Sequence, residues 1–251
     1  MNKKTLTLVS QLGEGKSHDF VTNFDEVAQA AIGRKVGDMM IALSYVNLQH
    51  SWFNISKEFR NHTFKFSTDS GSTFSAGTFP DGYYSFVDIK KFVNKTIDQA
   101  NGKENKAFSL APDRKTLTVT IGIEKGFALD FSGSKFSELI GFEKKKFGEG
   151  TFVSTEVVNG TRSVDQVFVN CDAVDFSFVG GKKSKALFIF GVSGFMPSHP
   201  IDVRPQRLRW VRMKKTNNFK NIRIFLTDSQ GRSINLHDQP SIFDLIIAPI
   251  K

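Results

Sequence analysis

Residues 151–192 read TFVSTEVVNGTRSVDQVFVNCDAVDFSFVGGKKSKALFIFGV, and this stretch decides the fold class. It is rich in valine and phenylalanine, which are the residue types that favour β-strands. The pairs Asn159-Gly160 and Gly180-Gly181 both suit the positive φ that tight hairpin turns require. The stretch therefore predicts three strands separated by two turns.

The same pattern extends over most of the chain. Residues 40–56, MIALSYVNLQHSWFNIS, and residues 63–79, TFKFSTDSGSTFSAGTF, alternate apolar and polar side chains as half-buried strands do. Two short helices interrupt the strands. One begins after Ser85 with a capping box and ends at Asn101-Gly102, and the other is a single turn around 136–140. The sequence therefore predicts an all-β protein, a single jelly-roll β-sandwich with one or two short inserted helices.

The domain organisation predicted from the sequence is simple. The chain has 251 residues, which one all-β domain can occupy, and it contains no internal repeat and no Pro/Ser-rich linker. We therefore expect a single jelly-roll domain over residues 38–251. Residues 1–37 are predicted to form an N-terminal arm, partly helical or flexible, with Asn23 as the candidate helix cap.

The composition points to a buried apolar core. The chain has 26 Phe but only 3 Tyr and 2 Trp, whereas recognition surfaces are enriched in Tyr and Trp. The single cysteine, Cys171, excludes internal disulfides and is predicted to be a small buried side chain, which agrees with synthesis in the reducing cytosol. No signal peptide and no segment of ~20 apolar residues that could span a membrane is present.

The motifs that could carry chemistry all lack a required part. GEGKS at 13–17 resembles a phosphate-binding loop, but Ser10 stands where that loop needs its first glycine. The five histidines lack metal-ligand spacing, and GVSGF at 191–195 lacks the spacing of a nucleophile elbow. The sequence therefore predicts no catalytic, cofactor-binding or metal-binding residues and a protein that is not an enzyme. Carboxylates that meet only in the folded chain remain an open alternative.

Positive charge is concentrated in one segment. The net charge is +9, and residues 203–223, here called the basic stripe, contain five arginines and three lysines and no acidic residue. Such a stripe can bind nucleic acid, an acidic protein face or an anionic membrane surface. It can equally be the solvated face of a strand.

Three stretches carry a resemblance to a known family. Residues 79–97, FPDGYYSFVDIKKFVNKTI, follow two or three predicted strands, KFSELIGF lies at 135–142, and a closing strand and turn, IRIFLTDSQGRSIN, begin at residue 222. In this order they resemble the minor capsid (penton) proteins encoded by Polinton (Maverick) elements, which are related to adintoviruses and virophages. The resemblance covers most of residues 38–250.

The resemblance implies a structural role. Such elements encode a double jelly-roll major capsid protein and a single jelly-roll penton protein, and a chain of 251 residues accommodates one jelly roll. It implies a homopentamer that closes the fivefold vertices of a virion, contacts the major capsid protein and needs no cofactor. Synthesis is expected in the cytosol, with assembly there or in the nucleus.

The basic stripe is the candidate site. We expect its segment 207–215 to form a strand that faces packaged DNA or an acidic neighbour, with the tryptophan as an interface anchor or a core residue. Two alternatives stay open: a jelly-roll module that binds a host receptor or glycan through loops 69–78 and 143–150, and a non-specific DNA-binding protein. The candidate residues are Arg207, Arg209, Trp210, Arg212, Lys214 and Lys215.

Overall fold

The computed structural model describes residues 3–26, 29, 39–102, 104, 106–113, 115–158, 164–192, 195–214 and 220–250. The chain forms two compact units. Unit 1 consists of Met1–Trp52 and Val164–Lys251, and unit 2 consists of Phe53–Ser163. Where the sequence predicted one domain over 38–251, the structure therefore has a second unit inserted into the first. No Pro/Ser-rich stretch in the sequence marks these boundaries.

The elements are numbered in chain order. The strands of unit 1 are β1 (Lys4–Val9), β2 (Glu14–Lys16), β3 (Asp19–Asn23), β4 (Met39–Gln49), β12 (Gln166–Cys171), β13 (Ser177–Val179), β14 (Lys182–Ser184), β15 (Ala186–Gly191), β16 (Pro200–Val203), β17 (Val211–Arg212), β18 (Asn221–Thr227) and β19 (Ser241–Pro249). Those of unit 2 are β5 (Thr63–Ser67), β6 (Ser75–Thr78), β7 (Phe108–Asp113), β8 (Thr118–Ile123), β9 (Ala128–Asp130), β10 (Lys146–Phe147) and β11 (Gly150–Val153), together with helices α1 (Phe86–Asn101) and α2 (Phe136–Leu139).

Unit 1 is a jelly roll made of two antiparallel sheets. One sheet has the order β1-β19-β4-β16, with β17 also on β4, and the other has the order β15-β12-β18-β3-β2. The chain passes repeatedly from one sheet to the other, and the first and last strands are neighbours, as in jelly-roll folds. The inner faces meet in an apolar core, in which the rings of Phe20 and Phe243 lie 5.9 Å apart. The predicted fold class is confirmed.

The first strands belong to this sandwich. Leu8 on β1 and Phe20 on β3 are both fully buried, and β1 pairs along its length with β19. Residues 4–23 therefore differ from the predicted N-terminal arm, because their apolar side chains complete the core of both sheets. The helix expected after Asn23 falls mostly outside the described residues.

Unit 2 contains two further antiparallel sheets and the helices α1 and α2. The sheets have the orders β10-β9-β5-β6 and β11-β8-β7. Unit 2 contains a core rich in phenylalanine, in which eight fully or nearly fully buried rings pack together. These are Phe64, Phe66, Phe79, Phe108, Phe131, Phe136, Phe142 and Phe147.

Helix α1 forms as its sequence predicts. The Ser85 hydroxyl accepts the backbone N–H of Asp88 at 3.2 Å, and the Asp88 carboxylate accepts the Ser85 N–H at 3.1 Å, so the capping box is complete. Gly102 ends the helix with a φ of 68°. Three apolar residues on one face, Ile89, Val93 and Ile97, are buried.

Two glycine motifs have clear outcomes. Gly180 and Gly181 have φ of 54° and 76° and form the turn between β13 and β14, so this predicted turn is confirmed. GEGKS lies in and beside β2, which pairs with β3, and the segment is a hairpin where a phosphate loop would require a helix. Asn159-Gly160 lies outside the described residues.

Candidate assembly surface

The basic stripe forms a strand only in part. β17 covers Val211–Arg212, whereas residues 204–210 form a loop between β16 and β17. Both strands pair with β4 on the side away from β19, so the loop interrupts an edge strand of the sheet. The strand predicted around residues 207–215 was therefore wrong for residues 207–210. Pro205 has no N–H to donate to the ladder, and proline in sheets is confined to edges and irregular positions.

The candidate basic side chains point away from the core. Arg207, Arg209, Arg212 and Lys214 are exposed, while the neighbouring Met213 is buried. None of the ion pairs in the described part of the chain includes any of these four basic residues. Their charge is therefore available to a partner. Lys215 lies outside the described residues.

Trp210 is half-buried and lies beside a basic side chain. The Lys3 Nζ lies 5.8 Å from the centroid of the Trp210 ring, within the range of a cation–π contact. The ring is thus partly covered by the chain and partly accessible to solvent. Its role as an interface anchor stays a prediction.

A polar network covers the start of the loop. The Tyr45 hydroxyl donates to the Asp202 carboxylate at 2.5 Å, and the Asn47 amide donates to the same carboxylate oxygen at 2.8 Å. These hydrogen bonds hold the pKa of Asp202 below its usual value, while the bond to Asp202 raises the pKa of Tyr45. The Arg204 guanidinium lies 5.0 Å from the Tyr45 ring centroid. Arg204 therefore has a contact within the chain, a cation–π contact with Tyr45.

At the other end of the stripe, Arg223 also interacts with residues of its own chain. Arg223 donates two hydrogen bonds of 2.7 Å to Asp19 on the adjacent strand, and its guanidinium lies 5.1 Å from the Phe225 ring centroid. The bonds from Arg223 lower the pKa of Asp19 and raise that of Arg223. The exposed basic residues of the stripe that form neither an ion pair nor a cation–π contact in the described part of the chain are consequently Arg207, Arg209, Arg212, Lys214 and Lys220.

The backbone joins residues 212–214 to the segment before β13. The N–H of Asp175 donates to the Arg212 carbonyl at 3.0 Å, and the N–H of Lys214 donates to the Ala173 carbonyl at 2.9 Å. Lys185 donates to the carbonyl of Val174 at 2.7 Å, and burial followed by repulsion from Lys214 lowers its pKa. The β13–β14 hairpin therefore lies next to the basic residues.

The hairpin was not predicted from the sequence as a functional feature. Its strands were predicted, but Phe176 and Phe178 were counted with the core and are exposed. A signal was present in FSFVGGKKSK at 176–185: two phenylalanines two residues apart precede a Gly-Gly turn and two lysines. Strand alternation gives both rings the same face, and the lysines indicate that this face meets solvent.

The two loops named for glycan binding are in contact within unit 2. The Lys146 Nζ lies 4.9 Å from the Phe74 ring centroid, which connects loop 143–150 with loop 69–78. Asp69 organises the second loop by accepting hydrogen bonds from Ser67 and Thr73, which lower its pKa to about 2. The structure thus brings together residues that the sequence proposed as one site.

Neither a metal-binding cluster nor an activated cysteine is present in the described part of the chain. Within the described ranges, no three His, Cys, Asp or Glu side chains form a group that could hold a metal ion. Cys171 is fully buried, and burial raises its pKa to about 12, so this thiol is not activated as a nucleophile. Part of GVSGF, residues 193 and 194, lies outside the described residues.

No helix in the described ranges has the length and apolar character needed to cross a bilayer.

No protein-family model and no curated protein sequence matches the chain. Its structure, however, is similar to the crystal structure of the mavirus penton protein, with a TM-score of 0.54 and 9% sequence identity. The similarity covers 99% of this chain and 100% of the mavirus chain. The chain therefore has a penton-type fold over its whole length.

Proposed function

We propose that this chain is a penton, a structural subunit that closes the fivefold vertices of an icosahedral capsid as a homopentamer. The observation that carries the proposal is the similarity to the mavirus penton protein, which extends over 99% of this chain and all of the other. A match of this extent includes the inserted unit as well as the jelly roll. A common jelly roll alone would leave residues 53–163 unmatched.

The source and partners follow from the sequence resemblance. The motifs at 79–97, 135–142 and 222–235 support assignment to a Polinton-type element, and with it contact to a double jelly-roll major capsid protein. The protein would be made in the cytosol and reside in the virion, with assembly in the cytosol or nucleus. Its function is mechanical and involves no reaction, since a shell subunit acts through its shape and its buried interfaces.

A ring of five places specific demands on the surface. Cyclic assembly needs heterologous contacts that close after a fixed rotation, and a stable interface buries about 1,600 Å² in total. The exposed basic residues at 207–214 lie along an interrupted sheet edge, where an unpaired strand would otherwise invite uncontrolled pairing. We assign these residues to the contact with an acidic neighbour or with packaged DNA.

Native mass spectrometry of the purified chain tests the proposal. A homopentamer has a mass of about 140 kDa, five times the 28.1 kDa of one chain. Because assembly can require the shell, the same measurement is made after co-expression with the major capsid protein of the same genome. A chain that stays monomeric alone and is absent from the vertices of co-expressed particles would refute the proposal.

Substitution of the basic residues separates the capsid role from DNA binding. The variant replaces Arg207, Arg209, Arg212 and Lys214 with serine, and the control replaces the exposed Lys90, Lys91 and Lys95 on α1. If the stripe binds DNA, wild-type affinity falls steeply with salt, and in the variant the slope decreases by about 0.9 for each phosphate that the protein no longer neutralises. Equal affinity and slope in both variants would exclude DNA binding by the stripe.

The glycan alternative concerns the loops of unit 2. Lys146 and Phe74 form an aromatic and cationic pair at the junction of the two loops, which is the observation that favours it. A glycan array probed with wild type and with a Phe74→Ser, Lys146→Ser variant tests it. Binding that is equal for both proteins, or absent for both, would exclude these loops as a glycan site.

A further inference from the structure

The hairpin formed by residues 176–184, here called the aromatic hairpin, carries an exposed apolar pair. Phe176 and Phe178 are 41% and 59% exposed, and their ring centroids lie 5.4 Å apart in an edge-to-face arrangement. Leaving two phenylalanine rings in water is unfavourable, since each can bury about 150–250 Å² of surface. Contiguous exposed apolar groups of this kind mark interaction surfaces.

The hairpin presents its two faces differently. Ser177 is buried, and its hydroxyl donates to the Ala186 carbonyl at 3.0 Å, so this face lies against unit 1. Side chains alternate along a strand, so Phe178 and its cross-strand partner Lys183 occupy the opposite, outward face. The turn at Gly180-Gly181 and the paired strands hold this face in a defined orientation.

A cation accompanies the rings on the outward face. The Lys183 Nζ lies 5.0 Å from the Phe176 ring centroid, and Lys182 next to it is exposed. A partner that covers the rings must therefore also receive an ammonium group. A carboxylate beside an apolar pocket satisfies both demands, because an ammonium that is desolvated without a counter-charge is strongly unfavourable.

Other occupants suit this arrangement less well. Stacked bases need an open ring face, whereas Phe176 already has Lys183 over its ring and Phe178 against it. Insertion into a bilayer would carry the Lys183 ammonium in with the rings, since both lie on one face. A second copy of this chain is a poor partner, because it has a net charge of +9 and its cavity of about 900 Å³ along α1 is lined by four lysines and only two carboxylates.

We propose that the aromatic hairpin inserts as a knob into an apolar pocket rimmed by carboxylates on a neighbouring shell subunit of a different kind. This inference rests on the proposed capsid function, which makes the major capsid protein of the same genome the occupant. Rings in a desolvated pocket supply binding, Lys183 beside the rings selects the acidic rim, and the exposed Lys182 next to the turn adds positive charge nearby. The exposed basic residues Arg212 and Lys214, joined to the hairpin by the backbone, extend the same electrostatic surface.

Binding of the purified chain to the purified major capsid protein, measured by biolayer interferometry, tests the knob. We expect the Phe176→Ser, Phe178→Ser variant to bind ~100-fold or more weakly, as loss of hot-spot residues does. We expect Lys182→Glu, Lys183→Glu to bind ~10-fold more weakly and to show a salt dependence that is smaller than that of wild type but not lost, because Arg212 and Lys214 still contribute to it. The matched control is Val153→Ser, which removes an equally exposed apolar side chain (57%) from unit 2 and should bind as wild type.

Each outcome has a definite consequence. Weaker binding of the phenylalanine variant counts as support only if that variant keeps the unfolding midpoint of wild type. The lysine variant provides a second test, because it leaves both phenylalanine side chains in place. Binding that is unaffected by both variants overturns the knob. p-Benzoylphenylalanine at position 178 of assembled particles should crosslink to the major capsid protein near its acidic residues, and a crosslink to a second copy, to nucleic acid or to lipid overturns it.

The two proposals can fail separately. If wild type and both hairpin variants enter fivefold vertices equally well, the hairpin inference fails and the proposed function stands. If wild-type protein neither binds the major capsid protein nor enters particles, both fail.

Discussion

Replacement of Phe79 by alanine should destabilise unit 2 and leave the stability of unit 1 unchanged. The Phe79 side chain is 1% exposed, and its ring stacks on Phe92 at 4.4 Å and on Phe136 at 5.2 Å between centroids. Phe64 and Tyr84 each contact it at 5.3 Å. Truncation of a buried phenylalanine costs about 3–5 kcal/mol, and the aromatic contacts add to the lost burial. We expect the free energy of unfolding of unit 2 to fall by about 4 kcal/mol.

The chain contains separate probes for its two units. Both tryptophans, Trp52 and Trp210, lie in unit 1, whereas the long helix α1 lies in unit 2. Urea unfolding is therefore followed by tryptophan fluorescence for unit 1 and by circular dichroism at the helix minimum for unit 2. With a denaturant slope of about 2 kcal/mol per molar, the unit 2 midpoint should drop by about 2 M urea.

The fluorescence midpoint should stay within error of wild type. The control is Val87→Ala, which truncates a side chain that is 60% exposed on α1 and should change stability by less than about 0.5 kcal/mol. A loss below about 1 kcal/mol in Phe79→Ala would refute the packing described for this core. Equal shifts of both midpoints would refute separate unfolding of the two units.

Three further predictions concern other positions. In Gly77→Ala, the new Cβ would lie 2.3 Å from a ring atom of the buried Phe64, so unit 2 should lose about 1–3 kcal/mol in urea unfolding; unchanged stability would show that the ring can move. The thiol of Cys171 is buried with its pKa raised to about 12, so iodoacetamide at about pH 8 should modify it only after denaturation; rapid labelling of native protein would contradict its burial. Ser85→Ala should cost about 1 kcal/mol near neutral pH through loss of the cap. Hydrogen bonds from Ser85 hold the pKa of Asp88 below its usual value. The difference in unfolding free energy between wild type and variant should therefore be complete above pH ~4 and decline as the pH falls through the lowered pKa of Asp88. A difference that does not change with pH would exclude the contribution of the carboxylate.

The features that the sequence determined by itself are local. Helix α1 could be predicted from Ser85, Asp88 and Gly102 because a capping box and a left-handed glycine cap act within a few residues. The turn at Gly180-Gly181 follows from the same kind of local backbone preference. The β class follows from residue type and alternation, which every strand carries within itself.

The tertiary structure decided what depends on distant partners. β4 pairs with β19, about 200 residues later in the chain, and strand alternation does not encode which strand is the neighbour. For this reason the insertion of residues 53–163 and the inclusion of β1 and β3 in the sandwich were not predicted.

The candidate surface shows the same division. The positive charge of residues 207–214 could be located from the sequence. Only the fold shows that Arg204 lies over the ring of Tyr45 and that Arg223 forms hydrogen bonds with Asp19. Phe176 and Phe178 have the same alternation as buried strand residues. They are exposed because no second sheet formed by the described residues covers the outward face of the short hairpin. Whether a face is covered is a property of the packed chain that no local pattern specifies.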